Sequence, residues 1–301
     1  MRSHRLRPKP LAVVGLLALS VACSGLSREP WELEPLPPDG VSATRLVTGP
    51  PLHLDRVRFR SAELDEPRFF LALVPAGEEP IRDVFILNHG WRDRPEDLLR
   101  HLKVDQVYAR LLAAGKVRRA VVVLPDIRFS SYFRRHSERF PFNQSLELVA
   151  TEVASLVSSR YHIPQDRDHW SIAGFSFGGY VALDVARRYS GRFGAASVWS
   201  AFFDRDWTFW PAHPPPAGRL DPRGRGKQTI VVPGPVPRLL LGCGTGDRFY
   251  ETMLDLHRRL TELGIEHEWQ TAPGGHTWSY WSSVLEPMLL FHLGTGGGGA
   301  P

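Results

Sequence analysis

Cysteine, lysine and long hydrophobic runs are all scarce in this chain of 301 residues. A disulfide between the two cysteines, Cys23 and Cys243, would tie a flexible tail to the core, so we expect a free, buried Cys243. The four lysines among 37 basic residues reflect genome composition rather than chemistry. A 12-residue apolar run, 11–22, is too short to span a bilayer, which needs about 20 helical residues.

That apolar run instead predicts a secretory signal peptide over residues 1–22. Four basic residues and no acid precede it, and it ends in small residues, as signal peptides do. Residues 20–23 (SVAC) also resemble a bacterial lipobox, although Ser20 stands where Leu is usual. We therefore expect a membrane-anchored lipoprotein acylated on Cys23. The alternative is ordinary cleavage, which gives a periplasmic or secreted protein with an unmodified Cys23.

Removal of the predicted signal peptide changes what the net charge of the protein implies about its partners. The net charge of +5 falls to +1 when the four basic residues of 1–22 are lost. A near-neutral protein does not need an anionic partner, so nucleic acid is not expected. With 43% hydrophobic residues, the chain has enough apolar material for a folded core and is not a disordered protein.

Strand and helix patterns alternate along one domain, residues 52–293. A Pro-rich tether, 23–51, precedes this domain and a Gly-rich tail, 294–301, follows it. Strands are predicted at 57–60, 69–74, 84–88, 120–124, 170–175, 195–199, 239–241 and 266–271. Helices are predicted at 146–160, 177–189 and 248–263, and a last one ends near 293. This alternation predicts an α/β fold whose mainly parallel central sheet is covered by helices on both faces.

Residues 202–237 interrupt this alternation of predicted strands and helices. The segment is rich in proline, arginine and aromatic residues, and it is either a lid or an ordinary long surface loop. Trp207, Phe209 and Trp210 would line the acyl or alcohol pocket in the first case and form an exposed hydrophobic loop in the second.

The clearest motif is G-x-S-x-G, centred on Ser176. A predicted strand enters the motif and a predicted helix leaves it, which is the context of a nucleophile elbow. Gly174 and Gly178 allow the strand and the helix to approach without a Cβ clash. We expect Ser176 to be a catalytic nucleophile; the alternative is a Gly-rich turn with an incidental serine.

A serine nucleophile needs a base and an orienting acid, which follow it in the order acid, then histidine. Asp247 follows the strand at 239–241, and His276 lies 29 residues later, after the last predicted strand. The parallel sheet should bring both residues to Ser176. Asp247 could alternatively cap the helix at 248–263, and His276 could be a plain loop histidine.

An oxyanion hole is the remaining requirement of acyl transfer. We expect one donor to be the backbone N–H of Phe177, directly after the nucleophile. The second should come from the loop after the strand at 84–88, where we favour the N–H of Trp91 over that of Gly90. His89 would brace this loop.

Metal and nucleotide motifs are incomplete. His267-Glu268 begins like H-E-x-x-H, but Thr271 occupies the position of the second zinc ligand. Glycines 242, 244 and 246 lack the spacing of a dinucleotide-binding loop, and Lys227 lacks the neighbours of a P-loop lysine. No metal or other cofactor is implied.

The sequence resembles the Putative esterase family of α/β-hydrolases from about 57 to 293. The resemblance rests on RYHIPQDRDHWSIAGFSFGGYVALDVARR, LLLGCGTGDRFY and GGHTWSYW. This family includes enterochelin and feruloyl esterases, S-formylglutathione hydrolases and mycolyltransferases. The resemblance implies the α/β-hydrolase fold and a triad of Ser176, Asp247 and His276. Phe177 replaces the methionine that is frequent after the nucleophile, and 202–237 matches nothing in the family.

These observations predict an exported serine esterase whose substrate is a small-molecule or polymer-linked carboxylic ester. Two alternatives stay open. An acyltransferase would use the same triad with another acceptor, and a non-catalytic binding protein could keep the hydrolase scaffold.

Overall fold

A nine-stranded sheet runs through the protein. The computed structural model describes residues 40–47, 49–128, 142–203 and 235–295. The strands lie in the order β1-β2-β3-β5-β4-β6-β7-β8-β9. Their bounds are β1 Val41–Val47, β2 Leu52–Ser61, β3 Glu66–Pro75, β4 Asp83–Asn88, β5 Ala120–Pro125, β6 Trp170–Phe175, β7 Ala195–Trp199, β8 Arg238–Gly244 and β9 Glu268–Ala272.

Strands β4 to β9 are parallel to one another, and β1 to β3 form an antiparallel edge in which β3 pairs with β5. The predicted mainly parallel sheet is therefore confirmed. Because the carboxyl ends of parallel strands meet at one edge, the loops after β4, β6 and β8 share that edge.

Helices cover both faces of the sheet, as predicted. They are α1 Pro95–Leu102, α2 Val104–Ala113, α3 Phe142–Glu147, α4 Ala154–Tyr161, α5 Phe177–Arg188, α6 Tyr250–Glu262 and α7 Trp278–Leu293. Side chains of β4 alternate between two buried cores: Val84 and Ile86 pack with α4, α5 and α6, and Phe85 and Leu87 pack with α1, α2 and α7. None of the helices in the described part of the chain is long and apolar enough to cross a membrane.

Besides small shifts at the ends of strands and helices, three expectations differ from the structure. The last part of the predicted tether is strand β1, which pairs with β2. The predicted helix at 146–160 contains a π-helical segment, Leu148–Val153, between α3 and α4. The predicted tail begins later than 294, because Gly294 bridges to Val117 and the Thr295 N–H donates to the carbonyl of Lys116 at 3.1 Å.

Several predictions lie outside the described residues. These are the signal peptide 1–22, Cys23, most of the tether, residues 204–234 of the insertion with Trp207, Phe209 and Trp210, and the end of the tail. Cys243 is buried and free, as expected.

Candidate active site

The turn between β6 and α5 has the backbone of a nucleophile elbow. Ser176 has φ 56° and ψ −123°, a conformation that costs free energy for a residue with a side chain. A Cβ on Gly174 would collide with the backbone of Gly178, and one on Gly178 would collide with the carbonyl oxygens of Asn88 and His89. The two glycines therefore allow the close packing that holds Ser176 in its strained turn.

Gly178 gives a direct test of this packing. We expect Gly178→Ala to lower the free energy of unfolding by about 1–3 kcal/mol, because the new methyl group overpacks against backbone that cannot rotate away. Gly191→Ala is the control, since a Cβ there meets no atom within 4 Å. Urea unfolding should show a change within about 0.5 kcal/mol for Gly191→Ala. Equal stability of the two variants would contradict the proposed packing.

Ser176, His276 and Asp247 lie in one line of hydrogen bonds. His276 Nε2 is 3.0 Å from Ser176 Oγ, and its Nδ1 is 3.1 and 3.0 Å from the two carboxylate oxygens of Asp247. The Asp247 side chain is fully buried, and the His276 side chain is 15% exposed. A carboxylate only accepts, so Nδ1 carries the proton that it donates to Asp247, and Nε2 is left to accept from the serine hydroxyl.

The Asp247 carboxylate is held ionised by its hydrogen bonds. Burial by itself would raise the pKa of Asp247, but hydrogen bonds from His276, from the Phe249 N–H and from Ser200 lower that pKa below its usual value. The Phe249 N–H donates to Oδ1 at 2.9 Å, so Asp247 also caps the turn into α6. The sequence analysis treats capping and pairing with His276 as alternatives, whereas in the structure the Asp247 carboxylate makes both contacts.

Ser200 and Trp281 contact the Asp247 and His276 side chains. The Trp281 indole N–H donates to Ser200 Oγ at 3.2 Å, and the Ser200 hydroxyl also hydrogen-bonds Asp247. The Trp281 ring packs edge-on against the His276 imidazole, with centroids 4.9 Å apart. Ser200 is fully buried and has φ 53°, so it holds a strained conformation at the end of β7.

The loop after β4 lies beside the nucleophile. A Cβ on Gly90 would lie 3.6 Å from Ser176 Cβ, and the Trp91 ring packs edge-on against Phe177 at 5.6 Å. His89 is fully buried: its Nδ1 lies 2.7 Å from the Gly90 carbonyl, and its Nε2 accepts from the Ile127 N–H at 3.2 Å. Burial lowers the pKa of His89 to about 4, so a neutral imidazole braces the loop, as expected.

Aromatic side chains border the triad. Phe249 packs edge-on against the His276 ring at 5.0 Å and contacts Phe202 at 5.9 Å. Phe202 is 54% exposed and Trp91 is 37% exposed. An apolar surface therefore lies on either side of the reacting groups.

Sequence reasoning missed three residues that contact this site: Ser200, Phe249 and Trp281. Phe249 was visible only as an apolar position of the helix at 248–263, and Trp281 only as part of GGHTWSYW. Ser200 is one small polar residue after a strand, and no local pattern identifies it. Within 40–47, 49–128, 142–203 and 235–295, no group of three or more His, Cys, Asp or Glu could hold a metal ion.

Comparisons with known proteins identify the family to which this chain belongs. The family model described as Putative esterase matches residues 61–292. An acetyl esterase from Caldicellulosiruptor saccharolyticus is 23% identical over 261 residues, which cover 76% of this chain and 94% of that protein.

Two solved structures share the fold. A ferulic acid esterase from Anaeromyces mucronatus, solved with ferulic acid, is 19% identical with a TM-score of 0.62, over 80% of this chain and 90% of its own. An S-formylglutathione hydrolase from Staphylococcus aureus is 17% identical with a TM-score of 0.60, over 80% and 98%. The chain therefore belongs to the Putative esterase family, and it is a serine hydrolase with the α/β-hydrolase fold.

Proposed function

We propose that this protein is an exported esterase that hydrolyses a carboxylic ester through an acyl-enzyme on Ser176. The observation that carries the proposal is the continuous hydrogen-bonded line from Ser176 Oγ through His276 to the buried Asp247. A serine at its ordinary pKa is a weak nucleophile, and this arrangement supplies the base that activates it.

The first step is attack of Ser176 Oγ on the ester carbonyl carbon. His276 Nε2 takes the hydroxyl proton as the new C–O bond forms, and Asp247 stabilises the resulting imidazolium through its hydrogen bond to Nδ1. The tetrahedral intermediate then expels the alcohol, which receives the proton from Nε2. A water molecule, deprotonated by the same nitrogen, attacks the acyl carbon of the acyl-enzyme. As the bond between this carbon and Ser176 Oγ breaks, Nε2 returns the proton to Oγ, which releases the acid and free Ser176.

The negative charge of the tetrahedral intermediate needs donors beside Ser176. We assign the backbone N–H groups of Phe177 and Trp91 to this role. The support is that Phe177 begins α5 directly after the nucleophile, and that the Gly90–Trp91 loop packs against both Ser176 and Phe177. Such donors are worth about 10²–10³ in kcat each.

The substrate class is an ester with an apolar part. Trp91 on one side of the triad, and Phe202 with Phe249 on the other, give surfaces on which such a group can pack. Relatives include an acetyl esterase and a ferulic acid esterase, which span a small acyl group and an aromatic one. A panel of 4-nitrophenyl acetate, butyrate and octanoate with methyl ferulate should show turnover of at least one ester. Turnover of none would refute the proposed activity, and faster acyl release on adding an alcohol would show transfer instead.

Export and lipid attachment form the second half of the proposal. The basic start, the 12-residue apolar run and the SVAC sequence support a leader that ends before Cys23. In a bacterial host we expect radiolabelled palmitate to enter the wild-type protein and not Cys23→Ala, while both are exported. Equal labelling of the two proteins would exclude acylation of Cys23.

A further inference from the structure

A half-buried carboxylate, that of Asp93, lies close to Ser176 across Gly90. Asp93 closes the turn after β4, where its N–H donates to the Gly90 carbonyl at 3.3 Å. The side chain then folds back over Gly90: a Cβ built on that glycine would lie 2.5 Å from Asp93 Oδ2 and 3.6 Å from Ser176 Cβ. The carboxylate and the nucleophile thus flank the same small space beside the oxyanion loop.

In the described part of the chain, no arginine, lysine or side-chain hydroxyl pairs with this carboxylate. Burial and the charge of Asp97 raise the pKa of Asp93, while the Gly90 backbone and the His101 and His276 imidazoles act in the opposite direction. Desolvating a carboxylate without a cationic partner costs free energy. The Asp93 carboxylate therefore accepts a hydrogen bond from the Gly90 backbone, but within these residues it has no arginine or lysine beside it to offset its charge.

The next acid along the chain provides a contrast. Asp97 accepts from the Arg100 guanidinium at 3.0 Å and from the Arg94 N–H at 3.0 Å, so its charge is satisfied within helix α1 and its cap. Asp97 thus has a cationic partner, whereas Asp93 has only the Gly90 backbone and lies close to Ser176.

The position of Asp93 also opposes the chemistry of a neutral ester. Negative charge develops on the carbonyl oxygen in the transition state, close to the loop that Asp93 flanks. A nearby carboxylate disfavours that charge by Coulomb repulsion. The repulsion is offset when the substrate itself brings a positive group next to the carboxylate.

We propose that Asp93 is a specificity-determining residue that selects esters carrying a cationic group near the scissile bond and rejects anionic ones. This inference rests on the proposed esterase activity of Ser176. Asp93 would pair with the substrate cation and place it beside the oxyanion loop. An anionic substrate would be repelled by the half-buried Asp93 carboxylate, which has the same charge.

Three acetates of similar size test this charge selection: acetylcholine is cationic, 3,3-dimethylbutyl acetate is neutral and 2-sulfoethyl acetate is anionic. We expect wild-type kcat/KM to be highest for the cationic ester and lowest for the anionic ester. Asp93→Asn should lower the cation-to-neutral ratio and raise the anion-to-neutral ratio, each by about 3- to 10-fold, as expected for one charge at short range in partly aqueous surroundings. A pH-stat measures all three rates without a chromophore.

Glu79→Gln is the matched control. It removes the same charge from an exposed residue that lies before β4, at the opposite edge of the sheet, and that pairs with Arg119 at 3.7 Å. We expect it to leave both ratios unchanged. Thermal unfolding checks that Asp93→Asn folds; its midpoint should equal or exceed that of the wild type, because a desolvated charge is removed.

The outcomes separate this inference from the esterase assignment. Turnover of the neutral acetate with ratios that Asp93→Asn does not alter would overturn the role of Asp93 and leave the esterase intact. An equal fall of all three rates would show that Asp93 positions the loop, which also overturns charge selection. If wild type hydrolyses neither these esters nor 4-nitrophenyl acetate, the esterase proposal fails, and this inference with it.

Discussion

Ser176→Ala is expected to lower kcat for ester hydrolysis by about 10⁵- to 10⁶-fold, the loss seen when a serine nucleophile is removed from a complete triad. The alanine lacks the Oγ that lies 3.0 Å from His276 Nε2, so no acyl-enzyme can form. Initial rates with 4-nitrophenyl acetate at enzyme concentrations high enough to detect slow turnover give the measurement.

Ser159→Ala is the control for this substitution, because Ser159 is exposed on α4 and contacts none of the triad residues. Its kcat should equal that of the wild type. A Ser176→Ala protein that folds normally and keeps more than about 1% of the wild-type rate would place the nucleophile elsewhere.

Asp247→Asn is expected to lower kcat by about 10⁴-fold with a smaller change in KM. The carboxylate accepts from His276 Nδ1 and so leaves Nε2 ready to take the serine proton. An amide in its place can donate to Nδ1, which puts the imidazole proton on Nε2 and removes the base. Steady-state kinetics of the purified variant give the kcat and KM separately.

Asp255→Asn makes the same chemical change on α6, where the carboxylate is 53% exposed and lies 3.9 Å from Arg259. This control should keep the wild-type kcat, since a surface ion pair of this kind contributes little. If both asparagine variants lost activity equally, Asp247 would have no specific role in orienting His276.

The alignment of Ser176, His276 and Asp247 was predictable because local patterns and topology agree on it. The strand–G-x-S-x-G–helix pattern places Ser176 at the end of β6. The two glycines of the motif are needed because backbone segments approach there too closely for a Cβ atom. Asp247 and His276 follow β8 and β9, whose carboxyl ends meet at the same edge of the parallel sheet. Each residue thus has a signal in its own neighbourhood of the sequence.

The features that were missed depend on contacts between distant segments. Strand β1 shows no buried alternation, because its stability comes from pairing with β2 rather than from a hydrophobic face. The π-helical segment at Leu148–Val153 leaves the apolar pattern of the helix almost unchanged. The hydrogen-bond partners of Ser200 come from β8 and α7, which are distant in the sequence. The sequence also does not show that the Asp93 side chain packs over Gly90, close to Ser176.

The most direct test of the account is the site of covalent modification by a fluorophosphonate probe, a phosphorylating analogue of the ester that traps an activated serine. Tandem mass spectrometry of the labelled wild-type protein should find the adduct on Ser176, and prior denaturation should abolish labelling because the alignment with His276 and Asp247 is lost. An unlabelled native protein, or an adduct on a different serine, would contradict the account.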